Sequence, residues 1–130
     1  MACILFVDDD PFTLETLAKA MEVFGHQALL ASTGEEGLEI AAGQSPDLIF
    51  SDMSLPDMDG LTLVKALKES AATAQIPVMI LSASPEIDAV EVAKAAGATA
   101  YLNKPIRLQN LLNIIDEFTA KGEEPPVSAT

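Results

Sequence analysis

The sequence predicts an α/β domain in which helices cover both faces of a parallel β-sheet. Five short apolar runs recur along the chain, and segments with helical periodicity separate them. Most of the runs are continuous rather than alternating, as expected where both faces of a parallel sheet are buried. Strands that alternate with helices are typical of such a sheet. The predicted strands are Cys3–Val7, Gln27–Ala31, Leu48–Ser51, Val78–Leu81 and Ala100–Asn103.

Helix starts and ends are marked by residues that cap helices. Asp10–Pro11 and Ser84–Pro85 each place a capping side chain before a proline at the first helical position. Thr33–Glu36 has the form of a capping box. Gly25 and Gly97 lie where helices should end, because glycine readily adopts the left-handed conformation that closes a helix. We therefore expect five βα units in succession.

Length and composition indicate one domain that contacts neither nucleic acid nor membrane. The chain has 130 residues, of which 49% are hydrophobic, enough for an ordinary core. Seven basic and twenty acidic residues give a net charge of −13, which repels phosphate backbones and anionic lipids. A single cysteine and the absence of secretory-signal features favour a cytoplasmic protein. We assign residues 1–120 to the domain and 121–130, which have little apolar content, to a flexible tail or linker stub.

Polar side chains follow four of the predicted strands. Asp8–Asp10 come after the first strand, Asp52 after the third, Ser82 after the fourth and Lys104 after the fifth. In an open α/β sheet, ligands bind beyond the carboxyl ends of the strands. We therefore expect these groups to share one rim of the sheet.

A cluster of carboxylates at this rim predicts a site for a divalent cation. Asp8, Asp9 and Asp52 would repel one another unless a cation joined them. Mg²⁺ suits such a site, because it takes one or two carboxylates together with water and a substrate phosphate. A carboxylate beside Mg²⁺ can act as nucleophile on a phosphoryl group, and Lys104 and Ser82 can stabilise that group. The alternative is that the acidic residues only cap helices, and for Asp10 and Asp59 we prefer it.

Four segments of the sequence form a specific pattern when their order and spacing are taken together, although each segment is weak alone. The segments are Val-Asp-Asp-Asp-Pro (7–11), Ser-Asp-Met-Ser-Leu-Pro-Asp-Met-Asp-Gly (51–60), Ile-Leu-Ser-Ala (80–83) and Ala-Gly-Ala-Thr-Ala-Tyr-Leu-Asn-Lys-Pro (96–105). With these segments the sequence resembles the receiver domains of two-component response regulators, similar to the chemotaxis regulator type, over about residues 4–118.

The resemblance implies a flavodoxin-like (βα)5 fold with strand order 2-1-3-4-5 and a phosphoacceptor at Asp52. The phosphoryl donor would be a sensor histidine kinase or a histidine phosphotransfer protein. Mg²⁺, for which Mn²⁺ can substitute, would be bound by Asp9 directly, by Asp8 through water, by Asp52 and by the backbone carbonyl of Ser54.

The resemblance also implies residues that sense the phosphoryl group. Lys104 would pair with the acceptor and then with the phosphoryl group, and its peptide bond to Pro105 would be cis. The Ser82 hydroxyl and the Ala83 N–H would bond the phosphoryl oxygens, and Tyr101 would turn inward as Ser82 moves. The face formed by the fourth helix, fifth strand and fifth helix would then present a changed surface to a downstream effector. Residues with a structural role at the site would be Pro56, Gly60 and Pro105.

Other residues carry weaker interpretations. Ser54 and Ser84 occupy the positions thought to tune dephosphorylation, and their small polar side chains leave room for water, which favours a short-lived phosphoryl group. Phe12 and Thr13 belong either to the kinase-docking surface or, in the case of Phe12, to the core or rim of the first helix. His26 is not expected to have a functional role.

Two other function classes compete with a signalling switch. Asp57–Gly60 has the Asp-x-Asp-Gly form of haloacid-dehalogenase phosphatases, which would make the protein an enzyme. That motif requires a strand that ends at its first aspartate, whereas the predicted strand ends next to Asp52. A receiver-like module that docks partners without phosphate should lack the acceptor, a metal-binding acid or the lysine, and all are present. We therefore expect a switch rather than an enzyme, with only its own phosphorylation and dephosphorylation as chemistry.

Overall fold

The computed structural model describes residues 2–83 and 89–123, within which five strands alternate with five helices. The strands are β1 (Cys3–Val7), β2 (Gln27–Ala31), β3 (Leu48–Asp52), β4 (Val78–Ser82) and β5 (Ala100–Asn103). The helices are α1 (Pro11–Val23), α2 (Gly34–Gln44), α3 (Gly60–Glu69), α4 (Ala89–Ala96) and α5 (Leu108–Glu123). The predicted βα alternation is confirmed.

The five strands form one parallel sheet in the order β2-β1-β3-β4-β5. This confirms the predicted flavodoxin-like topology. β3 ends at Asp52 and β4 at Ser82, each one residue beyond its predicted end. Both polar side chains are therefore the last residues of hydrogen-bonded strands, and the sheet itself sets their positions.

The core consists of two apolar layers, one on each face of the sheet. On the face under α1 and α5, the Phe6 and Phe50 rings stack with centroids 5.6 Å apart. On the face under α2, α3 and α4, buried aliphatic residues such as Ile49 and Ile80 form the second layer. Complete burial of side chains of this size contributes roughly 1.5–3 kcal/mol each. These layers fix the strands whose ends carry the polar residues.

Side chains cap the first two helices as predicted, with one difference. Asp10 accepts a hydrogen bond from the Phe12 N–H at the start of α1. At α2, the Thr33 hydroxyl accepts from the Glu36 N–H at 3.1 Å. The Glu36 carboxylate, however, accepts from the Ser32 N–H at 2.8 Å and not from that of the capping residue. The Glu36 carboxylate therefore bonds the residue before the N-cap, whereas in a capping box it bonds the N-cap residue itself.

The predicted helix ends are also confirmed at the two glycines. Gly25 has φ 79° and Gly97 has φ 113°, which are left-handed conformations that other residues rarely adopt. The helix start predicted at Ser84–Pro85 lies outside the described residues. α5 continues to Glu123, past the predicted boundary after residue 120. Residues 124–130 also lie outside the described part, so the flexible tail stays a prediction.

Candidate metal and phosphoryl site

The carboxyl ends of β1, β3, β4 and β5 bring the predicted polar residues to one rim. Asp8 follows β1 directly, and its carboxylate accepts a hydrogen bond from the Asp10 N–H at 2.9 Å. Asp52 and Ser82 end their strands, and the Lys104 N–H donates to the Ser82 carbonyl at 2.8 Å. Backbone contacts therefore hold each of these residues near its neighbours.

Three carboxylates converge at this rim. Ligand oxygens of Asp8, Asp9 and Asp52 all lie within 4.8 Å of one another. Asp8 is buried at 5% exposure, Asp52 is half-buried and Asp9 is exposed, so the cluster opens to solvent on one side. Hard divalent cations prefer oxygen ligands, and Mg²⁺ keeps part of its water shell. The donor set and its open side fit Mg²⁺.

Lys104 bridges two of these carboxylates. Its Nζ lies 3.4 Å from Asp8 Oδ2 and 3.4 Å from Asp52 Oδ1. Both distances exceed the roughly 2.8 Å of a strong charge-assisted bond. Partial burial alone would lower the pKa of Lys104, but the charges of Asp8 and Asp52 outweigh it and raise the pKa. The bond to Pro105 is cis, as predicted.

The electrostatics single out Asp52. Burial raises the pKa of its carboxyl group, the nearby charge of Asp8 raises it further, and Lys104 opposes both. The backbone of Ser54 makes a smaller contribution that lowers the pKa of Asp52. The ionised carboxylate is thus held in an unfavourable environment. A partly buried carboxyl group whose pKa is shifted by burial and by specific charged neighbours is typical of functional sites.

The loop after β3 is tightly folded around Asp52. Ser54 is exposed and pairs with Asp59 in an isolated antiparallel bridge. The Gly60 N–H donates to the Met53 carbonyl, and a Cβ at Gly60 would lie 3.0 Å from the Asp52 carbonyl oxygen. A side chain there would crowd the backbone of Asp52, so the close approach favours glycine. Pro56 is exposed within the turn of the loop.

The two predicted switch side chains lie on one face of the sheet. Ser82 is buried at 6% exposure. Tyr101 is half-buried, packs against the apolar layer under α2–α4 and lies opposite Ile80, two residues before Ser82. Ala83 is exposed at the rim, and Ser84 lies outside the described residues.

The exposure of Phe12 bears on its two alternative interpretations, which are the kinase-docking surface and the core or rim of α1. Its side chain is 74% exposed, so assignment to the core is wrong. The neighbouring Thr13 donates its hydroxyl to Asp10 at 2.7 Å, next to the carboxylate cluster. His26 accepts a hydrogen bond from the Ala2 N–H at the opposite end of the sheet, as expected of a residue without a role at this site.

The segment Asp57–Gly60 caps helices, as predicted for Asp59 but not for Asp57. β3 ends at Asp52 and not at Asp57, so the strand end that the phosphatase motif requires lies elsewhere. Asp59 accepts from the Thr62 N–H at 2.8 Å and starts α3. Asp57 binds the start of α2, a contact that the sequence analysis missed. No sequence pattern signals a bond between residues so far apart.

None of the helices in the described part of the chain is both long and apolar enough to cross a membrane.

Comparison with known proteins agrees with the geometry. The model of the response regulator receiver domain family matches residues 4–116. Protein PilH of Pseudomonas aeruginosa is 34% identical over 120 residues, which cover 92% of this chain and 99% of PilH. The DNA-binding dual master transcriptional regulator RpaA of Synechocystis is 32% identical over 129 residues, which cover 99% of this chain and 54% of RpaA. The chain thus spans nearly all of one relative and about half of the other.

Solved structures give the same result. The chemotaxis response regulator CheY4 of Vibrio cholerae superposes with a TM-score of 0.84 at 29% identity, covering 91% of this chain and 98% of CheY4. The match therefore extends over fold, sequence and nearly the whole described chain. This protein belongs to the response regulator receiver domain family.

Proposed function

We propose that this receiver domain acts as a signalling switch that accepts a phosphoryl group at Asp52 in a Mg²⁺-dependent reaction. The observation that carries the proposal is the convergence of the Asp8, Asp9 and Asp52 carboxylates within 4.8 Å, with the Lys104 ammonium beside them. Asp9 and Asp52, with the carbonyl of Ser54, would hold the cation, and Asp8 would act through water. Mn²⁺ has the same preference for oxygen ligands and should substitute.

The donor would be a phosphohistidine on a sensor histidine kinase or a histidine phosphotransfer protein. An Asp52 carboxylate oxygen attacks phosphorus, the P–N bond breaks, and its electron pair returns to the imidazole of the donor. Bound Mg²⁺ supplies positive charge that offsets the carboxylates and the oxygens of the transferred group. Burial of Asp52 keeps this oxygen poorly solvated, which strengthens its interactions with fixed charges.

Lys104 has the position and charge to change partners during the reaction. Before transfer its ammonium pairs with Asp8 and Asp52, each at 3.4 Å. After transfer the phosphoryl oxygens offer a stronger negative partner at the same rim. The Ser82 hydroxyl and the Ala83 N–H would bond the other oxygens, because β4 ends at that point.

The structural response would pass from β4 to β5. Ser82 is buried on the face that also carries Tyr101, so movement of Ser82 toward the phosphoryl group leaves space for the ring. The affected surface is formed by α4, β5 and α5, and a downstream effector would bind there. The phosphoryl group shifts this equilibrium only through contacts that differ between the two states.

A surface for the donor lies beside the carboxylates. A cavity of about 260 Å³ opens between α1 and the segment after β5, with Asp8 and Lys104 on one side. Phe12, Thr13 and Ile106 contribute to its lining, and the 74% exposure of Phe12 gives a partner an apolar contact. Aromatic side chains are favoured anchors in protein interfaces. This supports the docking interpretation of Phe12 and Thr13.

By itself, this chain is not expected to bind nucleic acid or membrane. RpaA is a DNA-binding regulator, but the present chain spans 54% of RpaA and carries a net charge of −13. Such a charge opposes contact with nucleic acid or anionic membrane. The chemistry of the chain would be confined to its own phosphorylation and dephosphorylation, and its cytoplasmic location stays a prediction.

Intact mass after incubation with acetyl phosphate tests the proposal. The protein should gain one phosphoryl group when Mg²⁺ is present and none when the metal is chelated. The variant Asp52→Asn should gain none under either condition, because an amide is not a nucleophile of this kind. Asp10→Asn is the matched control, since Asn also caps helices, and it should behave as the wild type.

Two results would contradict the proposal. If the wild type gained no phosphoryl group under any condition, a docking module independent of phosphate would be the better description. If Asp52→Asn still gained one, the acceptor would be a different residue.

A further inference from the structure

Asp57 connects the loop after β3 to the start of α2. Its Oδ1 accepts the Gly34 N–H at 2.8 Å, and its Oδ2 accepts the Glu35 N–H at 2.9 Å. These are the first two N–H groups of α2, which have no partner within the helix. The next N–H, that of Glu36, is bonded by Thr33. Asp57 thus completes the cap of a helix that lies more than twenty residues earlier in the chain.

Packing strengthens this connection. Met58 is half-buried against the apolar layer under α2–α4 and lies directly over Gly34. A Cβ at Gly34 would lie 2.5 Å from the Met58 sulfur, so the absence of a side chain there lets the loop approach. The hydrogen bonds from Gly34 and Glu35 also lower the pKa of Asp57, which keeps it ionised at neutral pH.

The same loop carries Ser54, and its internal bonds make it a closed hairpin. The Leu55 N–H donates to the Met58 carbonyl at 3.1 Å, and Ser54 pairs with Asp59 below that turn. Asp57 therefore lies at the tip of the hairpin, and Ser54 lies at its base beside Asp52. Because the hairpin is closed, a shift of the tip would move the base.

We propose that Asp57 is a positioning residue for the metal site. By binding the start of α2, it holds the hairpin so that the Ser54 carbonyl and the Ser54 N–H keep their places around Asp52. This inference rests on the proposed function, in which the Ser54 carbonyl completes the Mg²⁺ site. Asp57 itself contacts α2 and does not touch the cation.

Calorimetric titration with Mg²⁺ tests the role of Asp57. Asp57→Asn keeps the shape of the side chain, but one of its two ends is a donor and cannot accept a backbone N–H. We expect its Mg²⁺ dissociation constant to rise on the order of tenfold, as for residues that orient metal ligands. Asp57→Ala removes both acceptors and should raise the constant at least as much. Thermal unfolding of each variant verifies that it is folded at the titration temperature.

Asp47→Asn is the matched control. Asp47 is also exposed and accepts a backbone N–H, that of Cys3 at 2.8 Å, but it lies at the opposite end of the sheet. Its substitution should leave the Mg²⁺ dissociation constant unchanged. An effect as large in Asp47→Asn as in Asp57→Asn would mean that the loss is global, and the positioning role would be wrong.

The remaining outcomes separate the inference from the proposed function. If Asp57→Asn and Asp57→Ala bound Mg²⁺ as tightly as the wild type, the positioning role would be overturned while the phosphoacceptor remained. If the wild type bound no Mg²⁺ at all, the proposed metal site would fail, and the positioning role with it.

Discussion

Aspartates at one rim of the sheet have two opposite electrostatic environments. One group accepts backbone N–H bonds at helix starts, and these bonds lower the pKa of two of its members. In the third, Asp10, the hydrogen bond from the Thr13 hydroxyl lowers the pKa most, and the bond from the Phe12 N–H adds to it. The other group forms the carboxylate cluster, where burial and a like charge raise the pKa of Asp52. The capping group comprises Asp10, Asp57 and Asp59, and the cluster comprises Asp8, Asp9 and Asp52.

Residue type and position after a strand therefore do not decide what a carboxylate does. Asp9 and Asp10 are adjacent in sequence, yet the first belongs to the cluster and the second to a helix cap. Capping carboxylates stabilise the fold by themselves, because the helix start offers donors and a favourable dipole. Clustered carboxylates oppose folding unless a cation or lysine offsets their repulsion.

Addition of Mg²⁺ should produce the largest difference in stability between variants of the carboxylate cluster and variants of the capping aspartates. At a concentration about one hundred times its dissociation constant, Mg²⁺ should raise the free energy of unfolding by about 2.7 kcal/mol. Asp9→Asn should lose most of this gain, whereas Asp10→Asn should keep it, because Asn retains the capping function. Urea denaturation with and without Mg²⁺ measures the effect. An equal gain in both variants would show that the cluster is not the metal site.

Removal of a helix cap should lower the free energy of unfolding by an intermediate amount. Asp59→Ala deletes the acceptor for the Thr62 N–H and should lower the free energy of unfolding by about 1 kcal/mol at neutral pH. The pKa of Asp59 is lowered in the folded state, so its stabilisation is present above its unfolded pKa of about 3.9. It is lost as the pH falls through the folded pKa. The deficit of Asp59→Ala should therefore vanish in acid, and a deficit that persisted there would point to lost packing.

Substitution of Asp52 should have the smallest effect on the free energy of unfolding, and it should raise this free energy, not lower it. Without Mg²⁺, Asp52→Asn should be more stable than the wild type at neutral pH, because it removes a carboxylate whose pKa burial raises. The gain should be smaller than the loss in Asp59→Ala, since Lys104 already offsets part of the repulsion. A raised folded pKa makes ionisation unfavourable to folding above that pKa, so the gain should disappear as the pH falls toward 3.9. Thermal unfolding at several pH values measures it, and a variant less stable than the wild type would contradict this account.

Sequence patterns predicted the strands and the members of the cluster, because these depend on apolar runs and on which residues follow them. The strand order came instead from the resemblance to receiver domains. The predicted ends of β3 and β4 were one residue short, since polar Asp52 and Ser82 do not extend an apolar run. Their backbone pairing with neighbouring strands nevertheless continues the ladder. Hydrogen bonding, which apolar patterns do not report, decides those boundaries.

Contacts between segments that are distant in sequence could not be predicted from sequence patterns. Phe12 is 74% exposed and lines the cavity between α1 and the segment after β5, a position that depends on how these two segments pack. The bonds from Asp57 to Gly34 and Glu35 depend on how the loop after β3 folds back. Both are consequences of tertiary packing, and a single sequence carries no periodic signal of either.

The strand order also determines how firmly the strands that carry Asp52 and Tyr101 are held. β3, which carries Asp52, is paired on both sides by β1 and β4, and its apolar residues are fully buried. β5, which carries Tyr101, is an edge strand whose residues are only half-buried or exposed. Local opening costs least where few groups are buried and one edge is unpaired. The sheet thus combines a rigid central strand, which holds Asp52, with an edge strand that deforms more easily. A small change in free energy can therefore change the shape of that edge.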